Sequence, residues 1–190
     1  APEHVRYRCA YGGRGSGKTM SFAQMAIVRA YSGKVRILCA REILNSIRES
    51  VHSELCYAIE SLGLSDYFEC GVNYIKCRTT GSEIIYAGLY RNQDNLKGLG
   101  RIDICWIDEA ESVSEVSYRK LVPSIRADDS EIWLTWNPER TDSATRNRFM
   151  INPPQSIAIA QINWRDNPWF PSVLEEERIE LQKRDADAYL

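Results

Sequence analysis

Several things are scarce in this chain. Only two histidines occur among 190 residues, and the six cysteines (Cys9, Cys39, Cys56, Cys70, Cys77 and Cys105) include no CxxC pair. The spacing that a zinc site uses is therefore missing. Cys9, Cys39 and Cys105 lie inside apolar, strand-like runs, and the cysteines are expected to be buried, reduced thiols. Surplus positive charge is lacking too. The net charge is −2, so any contact with nucleic acid must come from a local patch. No run of about eighteen apolar residues exists, so no membrane-spanning helix is expected. No signal-peptide pattern, internal repeat or low-complexity tract is visible. The chain opens on Ala1-Pro2 without a methionine, which suggests a processed or truncated piece. What remains, 44% hydrophobic and 26% charged residues, suits one globular domain with a sizeable core.

The order of elements gives the class. "VRYRCAY" (5–11) is β-prone and runs into a glycine cluster. "MSFAQMAIVRAY" (20–31) has helical spacing and stops at Ser32-Gly33. "KVRILCA" (34–40) reads as a strand, and 43–63 as a long helix with Ile43, Ile47, Val51, Leu55, Ile59 and Leu62 on one stripe. "VNYIKCRT" and "SEIIYAG" predict a hairpin around Thr80-Gly81. Residues 89–101 read as a loop and 102–108 as a buried strand. Then come a helix over 114–127 with Pro123 near its end, a strand at 131–136, a short helix at 142–150, a strand at 156–162 and a charged helix at 172–189. Strands alternating with helices predict an α/β protein with a mostly parallel central sheet flanked by helices.

One stretch demands special chemistry. Gly12-Gly13-Arg14-Gly15-Ser16-Gly17-Lys18-Thr19 fits G-x-x-x-x-G-K-[ST] in full, between a predicted strand and a predicted helix. A loop that turns its N–H groups inward around a polyphosphate needs little Cβ bulk and tolerance of positive φ, which favours glycine. The helix that follows aims its positive end at the phosphates. Lys18 supplies a mobile full charge to the β and γ oxygens, and the Thr19 hydroxyl can ligate Mg²⁺.

A hydrolytic site also needs acids at the end of a buried strand, and "IDICWIDEA" offers Asp108 and Glu109. Asp108 is expected to hold Mg²⁺ opposite Thr19. Glu109 is expected to orient a water and take its proton. Arg14, inside the loop, can reach the γ-phosphate, pair with Glu109, or stand as a surface arginine. Asn137, after "LTW", can contact the attacking water or the γ-phosphate, or merely open an Asn-Pro turn.

Taken in order, "YGGRGSGKT", "CAREILNSIRESVHSEL", "WIDEAESVSEVSYRKLVPSIR", "EIWLTWNP" and "DNPWFP" resemble the large terminase subunit of tailed double-stranded DNA bacteriophages. The likeness runs from about Tyr7 to about Pro171. It implies a P-loop NTPase of the additional-strand, RecA-like type. It also implies the ATPase half of a motor that drives viral duplex DNA into a procapsid. On this resemblance Gly12 to Thr19 are Walker A, with Arg14 its arginine. Asp108 and Glu109 are the Walker B aspartate and catalytic glutamate. Thr135 to Asn137 stand at the coupling motif, written T-W-N here rather than Ser/Thr-Gly-Ser/Thr. The adenine-contacting segment corresponds to "EHVRYRCA", just before the loop.

The resemblance implies ATP and Mg²⁺ as cofactors. Its implied partners are duplex DNA, the portal and procapsid, the small terminase subunit and the chain's own nuclease domain. It further implies a ring on the portal, a monomer in isolation, and a location in the cytoplasm of an infected bacterium. The acids after Gln155 (Asp166, Glu175, Glu176, Glu177, Glu180, Asp185 and Asp187) mostly share one charged helix with Arg178, Lys183 and Arg184. That pattern is a solvated, ion-paired face, so residues 1–190 are expected to form the ATPase domain alone.

For DNA the candidates are Arg41, Arg48, Lys97, Arg101, Arg119, Lys120, Arg126, Arg140, Arg146 and Arg148, gripping phosphates without reading bases. The loop 89–101, with Arg91, Lys97 and Arg101, can grip DNA, serve a neighbour's site in a ring, or be an ordinary solvated loop. Rival readings are a helicase or recombinase-type ATPase, a nucleotide-gated assembly module with little turnover, and a small-molecule kinase.

Overall fold

The computed structural model describes residues 5–43, 48–90, 98 and 100–184. Its strands are β1 (Tyr7–Tyr11), β2 (Arg36–Arg41), β3 (Phe68–Cys70), β4 (Tyr74–Cys77), β5 (Glu83–Gly88), β6 (Ile104–Asp108), β7 (Glu131–Trp136) and β8 (Ile157–Gln161). They form one sheet in the order β3-β4-β5-β2-β6-β7-β1-β8. From β5 through β8 every neighbouring pair is parallel, and only β3–β4 and β4–β5 are antiparallel. The fold class is the expected one. β7 stands between β1, which feeds the glycine loop, and β6, which ends in the acids. That inserted strand is the additional strand of the RecA-like type.

Helices α1 (Lys18–Ser32), α2 (Ser53–Ser61), α3 (Glu115–Leu121), α4 (Ala144–Arg146) and α5 (Ser172–Arg184) complete the framework. The central strands are buried on both faces, and successive residues serve opposite cores. Ile37 and Cys39 of β2 and Ile104 and Trp106 of β6 join Phe22, Ala26 and Ile27 of α1 and Leu55 and Ile59 of α2. Leu38, Ala40, Cys105 and Ile107 face the other way, toward Tyr118, Leu121 and Phe149. Alanines at 23, 26 and 30 of α1 are fully buried, which lets the helix lie close on the sheet.

Several boundaries differ from expectation. The helix read over 43–63 is a π-helical turn, Arg48–His52, leading into α2, and residues 44–47 lie outside the described part. The helix read over 114–127 leaves α geometry after Leu121 and becomes a 3₁₀ turn, Val122–Ser124. Pro123 has no N–H to donate back into the helix. The helix read over 142–150 is α4 followed by a π-helical turn, Asn147–Ile151. β3 has no counterpart in the sequence pattern, because its three residues are too few to show a period. The hairpin at Thr80-Gly81 is present, with β4 and β5 antiparallel. Cys9, Cys39, Cys77 and Cys105 are buried and none is disulfide-bonded, but Cys56 is only half-buried and Cys70 is exposed on the outer strand. Burial pushes the Cys9 and Cys105 thiols up to about 12. Most of the 89–101 loop lies outside the described residues.

Candidate active site

Parallel strands bring their carboxyl ends to one edge, where side chains from several strands can meet. There the glycine loop, the end of β2, the end of β6, the end of β7 and the segment after β8 line a single cleft of about 470 Å³. The loop is tightly built. Gly12 has φ +147°, and a Cβ there would stand 1.8 Å from the Ile162 carbonyl oxygen. Gly15 has φ +73°, and a Cβ there would stand 2.5 Å from the Phe170 ring. A side chain at Gly12 would collide with backbone, and one at Gly15 would be strained and would have to displace the Phe170 ring. Ser16 Oγ donates to the Gly13 carbonyl at 2.9 Å.

Lys18 opens α1 and is 7% exposed. Its ammonium donates to the Gly12 carbonyl at 3.0 Å, the Gly13 carbonyl at 2.8 Å and Ser16 Oγ at 2.8 Å. These contacts hold a charge at the mouth of the loop. Burial pushes the Lys18 amine down to about 8, with the Asp108 charge opposing that shift.

The acids lie directly across from it. Asp108 ends β6 and is 3% exposed. Its Oδ1 accepts from Thr135 Oγ1 at 2.7 Å and from Thr19 Oγ1 at 3.3 Å. The Thr135 hydroxyl is itself fixed by Trp106 Nε1 at 3.1 Å. Register explains this meeting, since Asp108 is the β-partner of Thr135. Glu109 follows with φ +51°, a left-handed backbone that costs about 1–3 kcal/mol in a residue other than glycine. The turn lifts its carboxylate out of the sheet, and the side chain is 64% exposed.

Arg41 is the residue that sequence reasoning placed wrongly. It was a candidate for gripping DNA, yet it is 5% exposed. Its Nε donates to Asp108 Oδ2 at 3.1 Å, its Nη2 donates to the same oxygen, and its Nη1 stands 3.3 Å from Glu109 Oε2. One planar guanidinium spans both acids, which a lysine ammonium cannot do. The available signal was a charged residue closing the apolar strand Arg36–Arg41, at the same sheet edge as the acids.

Other expected residues sit differently. Arg14 lines the cleft, but its side chain is 88% exposed and its ion-pair partner, at 3.9 Å, is Glu139 rather than Glu109. The Glu109 partner is Arg41, which the fold delivers from the neighbouring strand. Asn137 lines the cleft, while Thr135 is the member of that trio bonded to Asp108. Glu54 also lines the cleft, and burial first, then the Asp108 charge, raises its carboxyl. The segment after β8 closes the site on one side, where Asn167 Nδ2 donates to the Gly15 carbonyl at 2.7 Å.

Elsewhere, Arg101 pairs with Asp103, Arg140 with Asp142, and Arg119 and Arg148 share Glu115. The acids of α5 pair along their own helix, Glu175 with Arg178 and Glu180 with Arg184. This is the ion-paired face expected of them. Arg48 and Lys97 have no described side chain. No helix among the described residues is long and apolar enough to cross a membrane.

Comparison with known proteins agrees with this layout. The PBSX phage terminase large subunit of Bacillus subtilis (strain 168) is 27% identical over 146 residues, covering 75% of this chain and 34% of that protein. The solved large terminase of a thermophilic bacteriophage superposes with a TM-score of 0.77 at 16% identity, covering 92% of this chain and 44% of its own. The large terminase ATPase domain of a Thermus phage gives a TM-score of 0.65 at 14% identity, covering 98% of this chain and 86% of its own. The chain thus spans 34% of the length of its curated relative. The family described as "Phage terminase large subunit" matches residues 4–190, and this chain belongs to it.

Proposed function

We propose that residues 1–190 are the ATPase domain of a packaging motor, which hydrolyses ATP to move duplex DNA into a procapsid within an infected bacterial cell. One observation carries the reading: the Thr19 hydroxyl at the head of α1 meets the Asp108 carboxylate at 3.3 Å, so loop and acids make one site. Two kinds of relative support it. The thermophilic-phage large terminase has been solved with ADP and with ATP-γ-S, and the Thermus phage domain that this chain nearly spans is named an ATPase domain. A helicase or a kinase would bind a triphosphate at the same edge, so the match of residues 4–190 to the terminase family is what favours the packaging reading over them.

In this reading Lys18 leaves its loop carbonyls for the β and γ oxygens. Glu109 orients the attacking water and accepts its proton, and Arg41 holds the glutamate in place from below. Thr19 and Asp108 are hard oxygen donors of the kind that Mg²⁺ takes, and they would hold it. When bound, the ion supplies charge that offsets the developing negative charge on phosphate. Arg14 stands free enough of the fold to reach the outgoing phosphate. The Thr135–Asn137 segment, bonded to Asp108, is the element that feels its loss. The motor's further partners would be the portal, the small terminase subunit and a nuclease domain, in a ring on the procapsid.

The test is steady-state phosphate release with duplex DNA and portal-bearing procapsids. The reading expects phosphate in solution, stimulated by both together, with DNA taken up. Strand separation would favour a helicase. Phosphate on an acceptor would favour a kinase, and binding without release an assembly module.

A further inference from the structure

We propose that Trp169 is the plate on which the base of the bound nucleotide stacks. The inference rests on the nucleotide reading above and gives the far end of the ligand to Trp169, since no described residue of the segment 3–10 lines the cleft. Trp169 is 84% exposed, whereas Trp106, Trp133 and Trp136 are buried in the sheet's two cores. Exposure alone says little, but the segment that displays this indole is firmly built.

Asn163 N–H donates to Asp166 Oδ2 at 2.7 Å, while Trp164 N–H donates to Asn163 Oδ1 at 2.7 Å. The Asn167 amide then does two things. Its Nδ2 donates to the Gly15 carbonyl at 2.7 Å, and its Oδ1 accepts the Trp169 N–H at 3.0 Å. One side chain thus ties the phosphate loop to the backbone of the tryptophan. Phe170 lies against Gly15 and meets Trp164 with ring centroids 5.7 Å apart. The Arg178 guanidinium from α5 sits 4.3 Å from the Trp164 ring. Two of the strap's aromatics therefore anchor it. The third, Trp169, lines the cleft beside Asn167 and Pro171.

Polarity decides what Trp169 meets. The sheet order across the site is β6-β7-β1-β8. Asp108 ends β6 and Glu109 follows it, the phosphate loop follows β1, and the strap (Asn163 to Pro171) follows β8. If the terminal phosphate lies at the acids, the nucleoside end of an extended ligand points to the β8 side, where the exposed indole stands. Stacking on an aromatic face tolerates every base because each has a π face. The site is therefore expected to favour purines by contact area without a hydrogen-bond code.

Calorimetric titration of this chain with ATP and with inorganic tripolyphosphate tests the assignment, because only ATP carries a base. Trp169→Ala should weaken ATP binding at least about fivefold, the low end of base–aromatic stacking, and leave tripolyphosphate binding within about twofold. Trp169→Phe should keep most of the ATP affinity. Equal losses for both ligands would assign Trp169 to the loop rather than the base, and no loss for ATP would remove it from the site; either overturns the proposal. A native chain that binds neither ligand would contradict the nucleotide reading as well. Native ATP binding left intact in Trp169→Ala would sink the stacking role alone. Should the alanine variant melt early, Trp169→Gln repeats the comparison with a side chain of similar reach.

Discussion

Two sets of arginine–carboxylate pairs lie at opposite extremes of this molecule. At the sheet edge, Arg41 and Asp108 have side chains 6% and 5% exposed. On α5, Arg184 and Glu180 are 74% and 61% exposed. The chemistry is the same, but the consequences differ. In water, the pair's attraction is screened and offset by lost side-chain freedom. In the sheet, each charge needs the other, because leaving one alone in a dry site is strongly unfavourable. The buried pair therefore fixes the position of Asp108 and, through the third arm of the guanidinium, the direction of Glu109.

The sharpest way to exploit that contrast is to disable the acid that Arg41 aims without disturbing the pair beneath it. Glu109→Gln should lower phosphate release by about 10²–10⁴ with ATP affinity nearly unchanged, as read by steady-state assay and direct titration. Turnover within about tenfold of native would remove Glu109 from the base role. Arg41→Gln acts on both acids. Removing one partner of a buried pair costs about 3–5 kcal/mol, so the melting temperature should fall by roughly 6–20 °C in a chain of this size. Thermal unfolding followed by circular dichroism reads it, and a shift under about 2 °C would mean that the pair is solvated after all.

How much of this was legible beforehand follows the range of the physics involved. The glycine loop could be read because its demands are local: each glycine, Lys18 and Thr19 answers a need of phosphate within a few residues. The central strands could be read because they are apolar on both faces. Arg41 could not, since its partners Asp108 and Glu109 are distant in sequence and become its neighbours only when β2 pairs with β6. Arg14 suggested a partner for Glu109 by its place inside the loop, but the folded loop turns it toward Glu139. Thr135, beside the more conspicuous Asn137, became visible as an Asp108 ligand only through strand register. The strap from Asn163 to Pro171 showed turn residues, yet nothing in its order says that it folds onto Gly15.

An intermediate case sharpens the comparison. Glu115 on α3 lies between Arg148 and Arg119, and its side chain is 43% exposed. The hydrogen bond from Arg148 chiefly holds its carboxyl down to about 2, below the ordinary 4.5. A carboxylate depressed on folding adds stability above its unfolded value and loses it as pH falls through the folded one. Glu115→Gln should therefore lower the melting temperature by a few degrees at most at pH 7, given the solvent screening. That difference should shrink between about pH 4.5 and pH 2; a pH-independent difference would mean that packing, not charge, is responsible. At the far end, Arg184→Ala on α5 should shift melting by less than about 2 °C. A larger fall would show that this surface pair is tied into the fold.

The central claim is that the glycine loop and the two acids form one hydrolytic site. A crystal structure of this chain with Mg²⁺ and ATP-γ-S tests it most directly. The account predicts the terminal thiophosphate between Lys18 Nζ and the Glu109 carboxylate, with Asp108 and Thr19 on its metal side. A nucleotide bound away from the loop, or lying in the loop with Asp108 and Glu109 out of reach of its terminal phosphate, would contradict it.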